Sequence, residues 1–173
     1  MVAYQKRGLT DNEVLETLPL DLPEDVFATE AIWFALPAEL LDEREIAGAL
    51  HGAEHAAIAV LPLYAMCDRW DIGGLSTPWH WQTDMATIFI YDGYPGGIGL
   101  VRRAYDAFES LAGDARLLIA ECPCESGCPS CVQSPKCGNL NEPLSKGGAL
   151  RVLGLLTRQP GGPGRQDVWP QAE

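Results

Sequence analysis

Residues 1–41 alternate apolar and polar positions, with Val14, Leu18, Leu20 and Leu22 set near Pro19 and Pro23, followed by the aromatic run Ala31-Ile32-Trp33-Phe34. A period of two interrupted by prolines predicts antiparallel strands and turns. From Asp42 the spacing becomes helical. Asp42 is a capping residue, Glu43 and Glu45 suit the positive end of a helix, and Ile46, Leu50, Ala53 and Ala57 recur at three and four residues. The pattern predicts one long helix to about Asp68, with a bend at Pro62. A turn-rich stretch, DIGGLSTPWHWQTD, follows, and then the β-prone run Ala86 to Tyr91 reads as a buried strand. Asp92 to Gly99 breaks that strand, and Leu100 to about Ala120 is helical again. A shorter helix is expected from Pro143 or Leu144 to about Thr157. The expected fold class is α+β: N-terminal antiparallel strands, a long central helix, a strand-turn-helix unit and a cysteine loop with a C-terminal helix. One domain, 1–157, is expected, and the Gly- and Pro-rich residues 158–173 read as a disordered tail.

Composition excludes several classes. With 47% hydrophobic and 21% charged residues the chain is neither wholly disordered nor collagen-like. A formal charge of -12 repels polyanions over most of the surface, which disfavours DNA binding by the chain alone. The N-terminus has no signal-peptide core, so the expected location is cytoplasmic. The near-apolar run Ala56 to Cys67 contains Pro62 and is shorter than the roughly 20 residues that cross a bilayer, so no membrane segment is expected.

Five of the six cysteines lie between 122 and 137: Cys122, Cys124, Cys128, Cys131 and Cys137. Crowding of this kind, without an export signal, favours a metal over disulfides. Four thiolates bind zinc tetrahedrally with bonds of about 2.3 Å, and a CxxC turn such as Cys128 to Cys131 aims two sulfurs at one centre. Pro129 and Pro135 stiffen the loop. Gly127 and Gly138 permit positive φ, and Lys136 is placed to offset thiolate charge. Five cysteines compete for four positions; Cys124 is nearer the CxxC turn than Cys122 and is favoured over it. Four sulfurs leave no open position for water, so the expected role of Zn2+ is structural. Buried reduced thiols or a redox pair are the competing reading.

Two other motifs carry possible chemistry. His51-Gly-Ala-Glu54-His55 matches H-x-x-E-H, in which two histidines one helical turn apart bind zinc and the glutamate activates water. Glu121 or Glu125 would be a third ligand. Histidines hydrogen-bonded near the core are the plainer explanation of so short a motif. The turn Tyr91 to Gly99 joins a strand to a helix, where backbone N–H groups can hold a phosphate. It lacks the spacing of a dinucleotide fingerprint and the Lys-Ser/Thr end of a Walker A loop, so a tight packing turn is favoured. No acidic Asp-Glu-x-His box is present either, and the chain is not expected to be an enzyme by itself.

Three segments in order, GALHGAEHAAIAVLPLYAMCDRWDIGGLS, IYDGYPGGIGL and CPCESGCPSCVQSPKCGNLNEPLSKGGAL, together resemble the zinc-binding domain at the C-terminus of MrfA-like superfamily 2 DNA helicases. The resemblance covers residues 1–157 and is most specific at GCPSCVQSPKCGN. It implies a non-catalytic module whose partners are the motor domains of the same full-length protein, and DNA through that assembly. Such helicases use ATP to move 3′ to 5′ and act in DNA repair. The ligands implied are Cys124, Cys128, Cys131 and Cys137, with Cys122 in doubt, while His51 and Glu54 carry over without a role. A free-standing zinc module that binds another protein, and an H-x-x-E-H hydrolase, are the alternatives.

Overall fold

The computed structural model describes residues 3–21 and 26–157. The expected tail, and Leu22 and Pro23, lie outside the described residues. The α+β organisation is as expected from the sequence. A hairpin of β1 (Ala3–Arg7) and β2 (Val14–Pro19) forms a two-stranded sheet. A three-stranded antiparallel sheet is built from β3 (Ala31–Leu36), β4 (Ile72–His80) and β5 (Met85–Asp92), in the order β3-β5-β4. Among the described residues four α-helices complete the fold: α1 (Ile46–Val60), α2 (Leu100–Asp106), α3 (Phe108–Glu121) and α4 (Lys146–Leu156).

Alternation decides which face of the sheet is buried. Ile32, Phe34 and Leu36 of β3 point into the core, opposite Ile90, Ile88 and Ala86 of the central strand β5. Phe34 stacks on Phe108 of α3 with ring centroids 4.4 Å apart. Helix α1 packs on β4 and β5 and also against α3 and α4, so it is buried almost all round. Ile46–Leu63 is long and apolar enough to cross a bilayer by length and composition, yet 72% of it is buried inside the fold, as befits a core helix. Helices α1 and α4 cross closely because they meet at glycine. A Cβ on Gly148 would lie 2.6 Å from the Ala49 Cβ, closer than packed carbons approach.

Four expectations are corrected. The central helix is shorter than 42–68: α hydrogen bonding stops at Val60 because Pro62 has no N–H to continue it, and residues 61–63 form a single 3-10 turn. Asp42 caps a turn ahead of the helix, its side chain accepting from the Arg44 N–H. The stretch read as turn-rich is strand β4. Its Gly73 and Gly74 are there for lack of space, since a Cβ at 73 would lie 2.1 Å from the Tyr91 ring and one at 74 would lie 2.5 Å from Glu54 Oε1. Pro78 is tolerated because β4 is an edge strand and its register slips between Thr77 and His80. The helix expected over 100–120 is two, broken at Ala107. The last helix begins at Lys146, capped by the Ser145 side chain, which accepts from the Gly148 N–H.

Candidate metal centre

Helix α3 ends at Glu121, and the chain leaves it extended through Cys122 into the loop. The next cysteine, Cys124, returns beside it, and the turn Cys128 to Cys131 closes with the Cys131 N–H on the Cys128 carbonyl at 3.0 Å. Gly127 takes the positive φ of 121° that this reversal needs; Gly138 does not adopt positive φ. Val132, fully buried, anchors the loop to the core, and burying a side chain of that size stabilises by about 1.5 to 3 kcal/mol.

The four sulfurs of Cys122, Cys124, Cys128 and Cys131 all lie within 4.8 Å of one another. Four of the separations are 3.6 Å (122 to 124), 3.5 Å (122 to 128), 3.5 Å (124 to 131) and 3.8 Å (128 to 131). A tetrahedron of zinc–sulfur bonds has edges of about 3.8 Å. None of the four is in a disulfide. The Cys128 N–H points at the Cys131 sulfur, 3.3 Å away, which disperses thiolate charge. The Ser130 N–H and the neighbouring Cys122 thiol pull the Cys128 pKa down to about 7, while burial pushes Cys131 up to about 12. The thiolate is thus favoured at Cys128 and opposed by burial at Cys131, and a bound cation favours the thiolate form at both.

The structure brings Cys122 together with Cys124, Cys128 and Cys131, and it holds Cys137 apart from them. Cys137 sits against His51, its sulfur 3.3 Å from His51 Nε2, and forms a second group with His51 and His55. Cys122 and Cys124 share one centre because the extended backbone between them turns both sulfurs inward, whereas Cys137 is drawn off by the segment that passes along α1. Neither Glu121 nor Glu125 belongs to either group among the described residues. The lysine beside the four-cysteine loop is Lys146 of α4, whose Nζ donates to the carbonyls of Cys122 and Cys124. Lys136, expected in that role, instead donates to the carbonyls of Arg69 and Ile72.

The glycine-rich turn is already filled. One Asp92 carboxylate oxygen accepts from the N–H groups of Ile98, Gly99 and Leu100 at 2.7, 2.9 and 3.2 Å, and the other accepts from Val101 at 2.9 Å. Asp92 is fully buried. An internal carboxylate thus occupies the place at the start of α2 that a phosphate would take, and the packing-turn reading holds.

An α+β unit that closes a tetrahedron of cysteine sulfurs is a zinc-binding domain of the closed type. Residues 53–132 match the MrfA Zn-binding domain, and the chain belongs to that family. It is 36% identical over 131 residues to the ATP-dependent helicase YprA of Bacillus subtilis, covering 75% of this chain and 18% of the helicase. It is 39% identical over 110 residues to protein MJ1572.1 of Methanocaldococcus jannaschii, covering 62% of this chain and 98% of that protein. The crystal structure of the DUF1998 helicase MrfA bound to DNA superposes with a TM-score of 0.64 at 33% identity, over 88% of this chain and 20% of that one. The chain therefore spans a fifth or less of these helicases.

Proposed function

We propose that the chain is the non-catalytic, zinc-bearing module at the C-terminal end of an ATP-dependent 3′ to 5′ DNA helicase of DNA repair, and that residues 1–157 form its folded unit. In this reading Cys122, Cys124, Cys128 and Cys131 hold one structural Zn2+, and the module braces the motor and the DNA path in the cytoplasm. The observation that carries it is the four-sulfur tetrahedron in a fold shared with a DNA-bound helicase. The ligand set is supported by the family match, which spans all four of these cysteines and stops before Cys137. A docking role is supported by the exposed large apolar side chains of Trp70, Leu75, Trp79 and Trp81, 57 to 71% accessible along and beside edge strand β4. The charge of -12 favours contact with the motor over an independent grip on DNA.

The test is made in the full-length helicase in which the module is read to sit. Cys128→Ser there should preserve ATP hydrolysis while impairing strand separation, and the isolated chain should turn over no ATP. Unwinding that is unaffected by loss of the zinc centre would sink the bracing role. The archaeal protein of which this chain spans 98% supports a second reading, a free-standing module acting on a partner in trans. Stable co-elution with a separately expressed motor would favour that arrangement.

A further inference from the structure

We propose that the chain holds a second transition-metal ion, bound by His51 Nε2, His55 Nε2 and Cys137 Sγ, with one coordination position open to the cleft between α1 and β4. The site is separate from the four-cysteine centre and does not depend on the helicase reading. It begins with the spacing of four residues on α1, which puts both imidazoles on one helix face, their centroids 4.3 Å apart. Both rings are more than nine-tenths buried.

Their orientation is set from behind. His51 Nδ1 lies 2.9 Å from the Pro143 carbonyl and His55 Nδ1 lies 2.7 Å from the Val132 carbonyl. A carbonyl only accepts, so each Nδ1 carries the proton and each Nε2 presents a bare lone pair. Metal-binding histidines are held in this way, with the far nitrogen donating to a backbone carbonyl. The three donor atoms lie within 4.8 Å of one another, and the 3.3 Å from Cys137 Sγ to His51 Nε2 is close to the edge of a tetrahedral site. The Asn141 N–H points at the same sulfur, 3.3 Å away, as it would to stabilise a thiolate.

Hydrogen bonding inside the protein does not account for the cluster. The Cys137 thiol has one proton and is placed to give it to His51, which leaves His55 Nε2 with no donor among the described residues. A cation shared by the three atoms gives that nitrogen a partner and binds Cys137 as its thiolate. Two imidazoles and a thiolate suit Zn2+ and its probe Co2+, and three protein ligands leave a fourth position free. That position faces a cleft of about 540 Å³ lined by Glu54, Ser76, Lys136 and Asn139. Lys136 is a cation in this cleft, but its Nζ is held on backbone carbonyls, and the Glu54 carboxylate opposes its charge.

The experiment is a metal count and cobalt titration of the 173-residue chain. Expected are two zinc equivalents by elemental analysis. With the four-cysteine centre loaded with zinc, one added equivalent of Co2+ should give visible d–d bands and a near-ultraviolet thiolate-to-cobalt band. Cys137→Ala should lose one zinc equivalent and the thiolate-to-cobalt band, and His55→Gln should lose the same equivalent. Should both variants fail to fold, the parent decides. A single zinc equivalent, or Co2+ that binds the zinc-loaded parent without a thiolate band, overturns the proposal.

Discussion

Lys146 Nζ donates to the carbonyl oxygen of Cys122 at 2.7 Å, joining the first turn of α4 to the start of the metal loop just past α3. The same ammonium reaches the Cys124 carbonyl, so one cation orients the backbone on both sides of Pro123. Hydrogen bonds to a charged group are worth about 1.5 to 3 kcal/mol. Lys146→Met should lower stability by an amount of that order and speed zinc loss to a competing chelator. The zinc stoichiometry should not change. An unaltered rate of metal transfer would show that the contact does not support the loop.

Each of Cys122→Ser, Cys124→Ser, Cys128→Ser and Cys131→Ser should reduce zinc by one equivalent, and Cys67→Ser should leave it intact. The loop carries little apolar surface besides Val132, so metal binding supplies most of its order, on the order of 10 kcal/mol for a structural zinc at neutral pH. Chelation should therefore disorder residues 122–141 first, as followed by amide hydrogen exchange. Retention of full zinc by Cys122→Ser would remove Cys122 from the ligand set.

Asp92 satisfies four backbone N–H groups at the start of α2 and has no solvent to replace it. Asp92→Ala leaves those donors without a partner and should cost about 3 kcal/mol or more in urea unfolding. Asp92→Asn, which retains one acceptor oxygen, should cost less. Since the carboxylate fills the turn, phosphate should not raise the melting temperature of the parent chain. A clear phosphate-dependent rise would mean that the turn accepts an external anion after all.

The Tyr64 hydroxyl donates to Asp114 Oδ2 at 2.6 Å and ties the 3-10 turn that follows α1 to α3. Burial, then the Asp114 carboxylate, push the phenol pKa from 10.0 up to about 12. Because the folded value is raised, this contribution is fully present below pH 10 and is lost as pH rises through about 12. Tyr64→Phe should cost about 1 kcal/mol at neutral pH and flatten the alkaline loss of stability between those values. A phenolate titration by ultraviolet absorbance should lose its highest-pH component in the variant.

Much of the architecture was legible because it rests on local chemistry. The alternation at Ile32, Phe34 and Leu36, the run from Ala86 to Tyr91 and the helical spacing from Ile46 to Ala57 each report burial directly. The cysteine crowding announced a metal for the same reason, since CxxC geometry is set within one turn. Strand β4 was hidden because its glycines look like turn residues, and their cause, the Tyr91 ring and the Glu54 carboxylate, is remote in sequence. The break at Ala107 had no proline or glycine to signal it.

What the sequence determined by itself was most of the elements, the fold class and the presence of a thiol-rich centre, all properties of residues a few positions apart. Which four cysteines meet was decided only by tertiary structure. Cys122 is carried in by the end of α3, and Cys137 is carried off to His51 across 86 residues of chain. The H-x-x-E-H motif shows the same division. Its spacing set both histidines on one face of α1, but the Val132 and Pro143 carbonyls that turn their Nε2 atoms toward Cys137 come from packing of the C-terminal segment. Coordination depends on directions and distances to within a fraction of an ångström, and those are fixed by what packs behind each ligand.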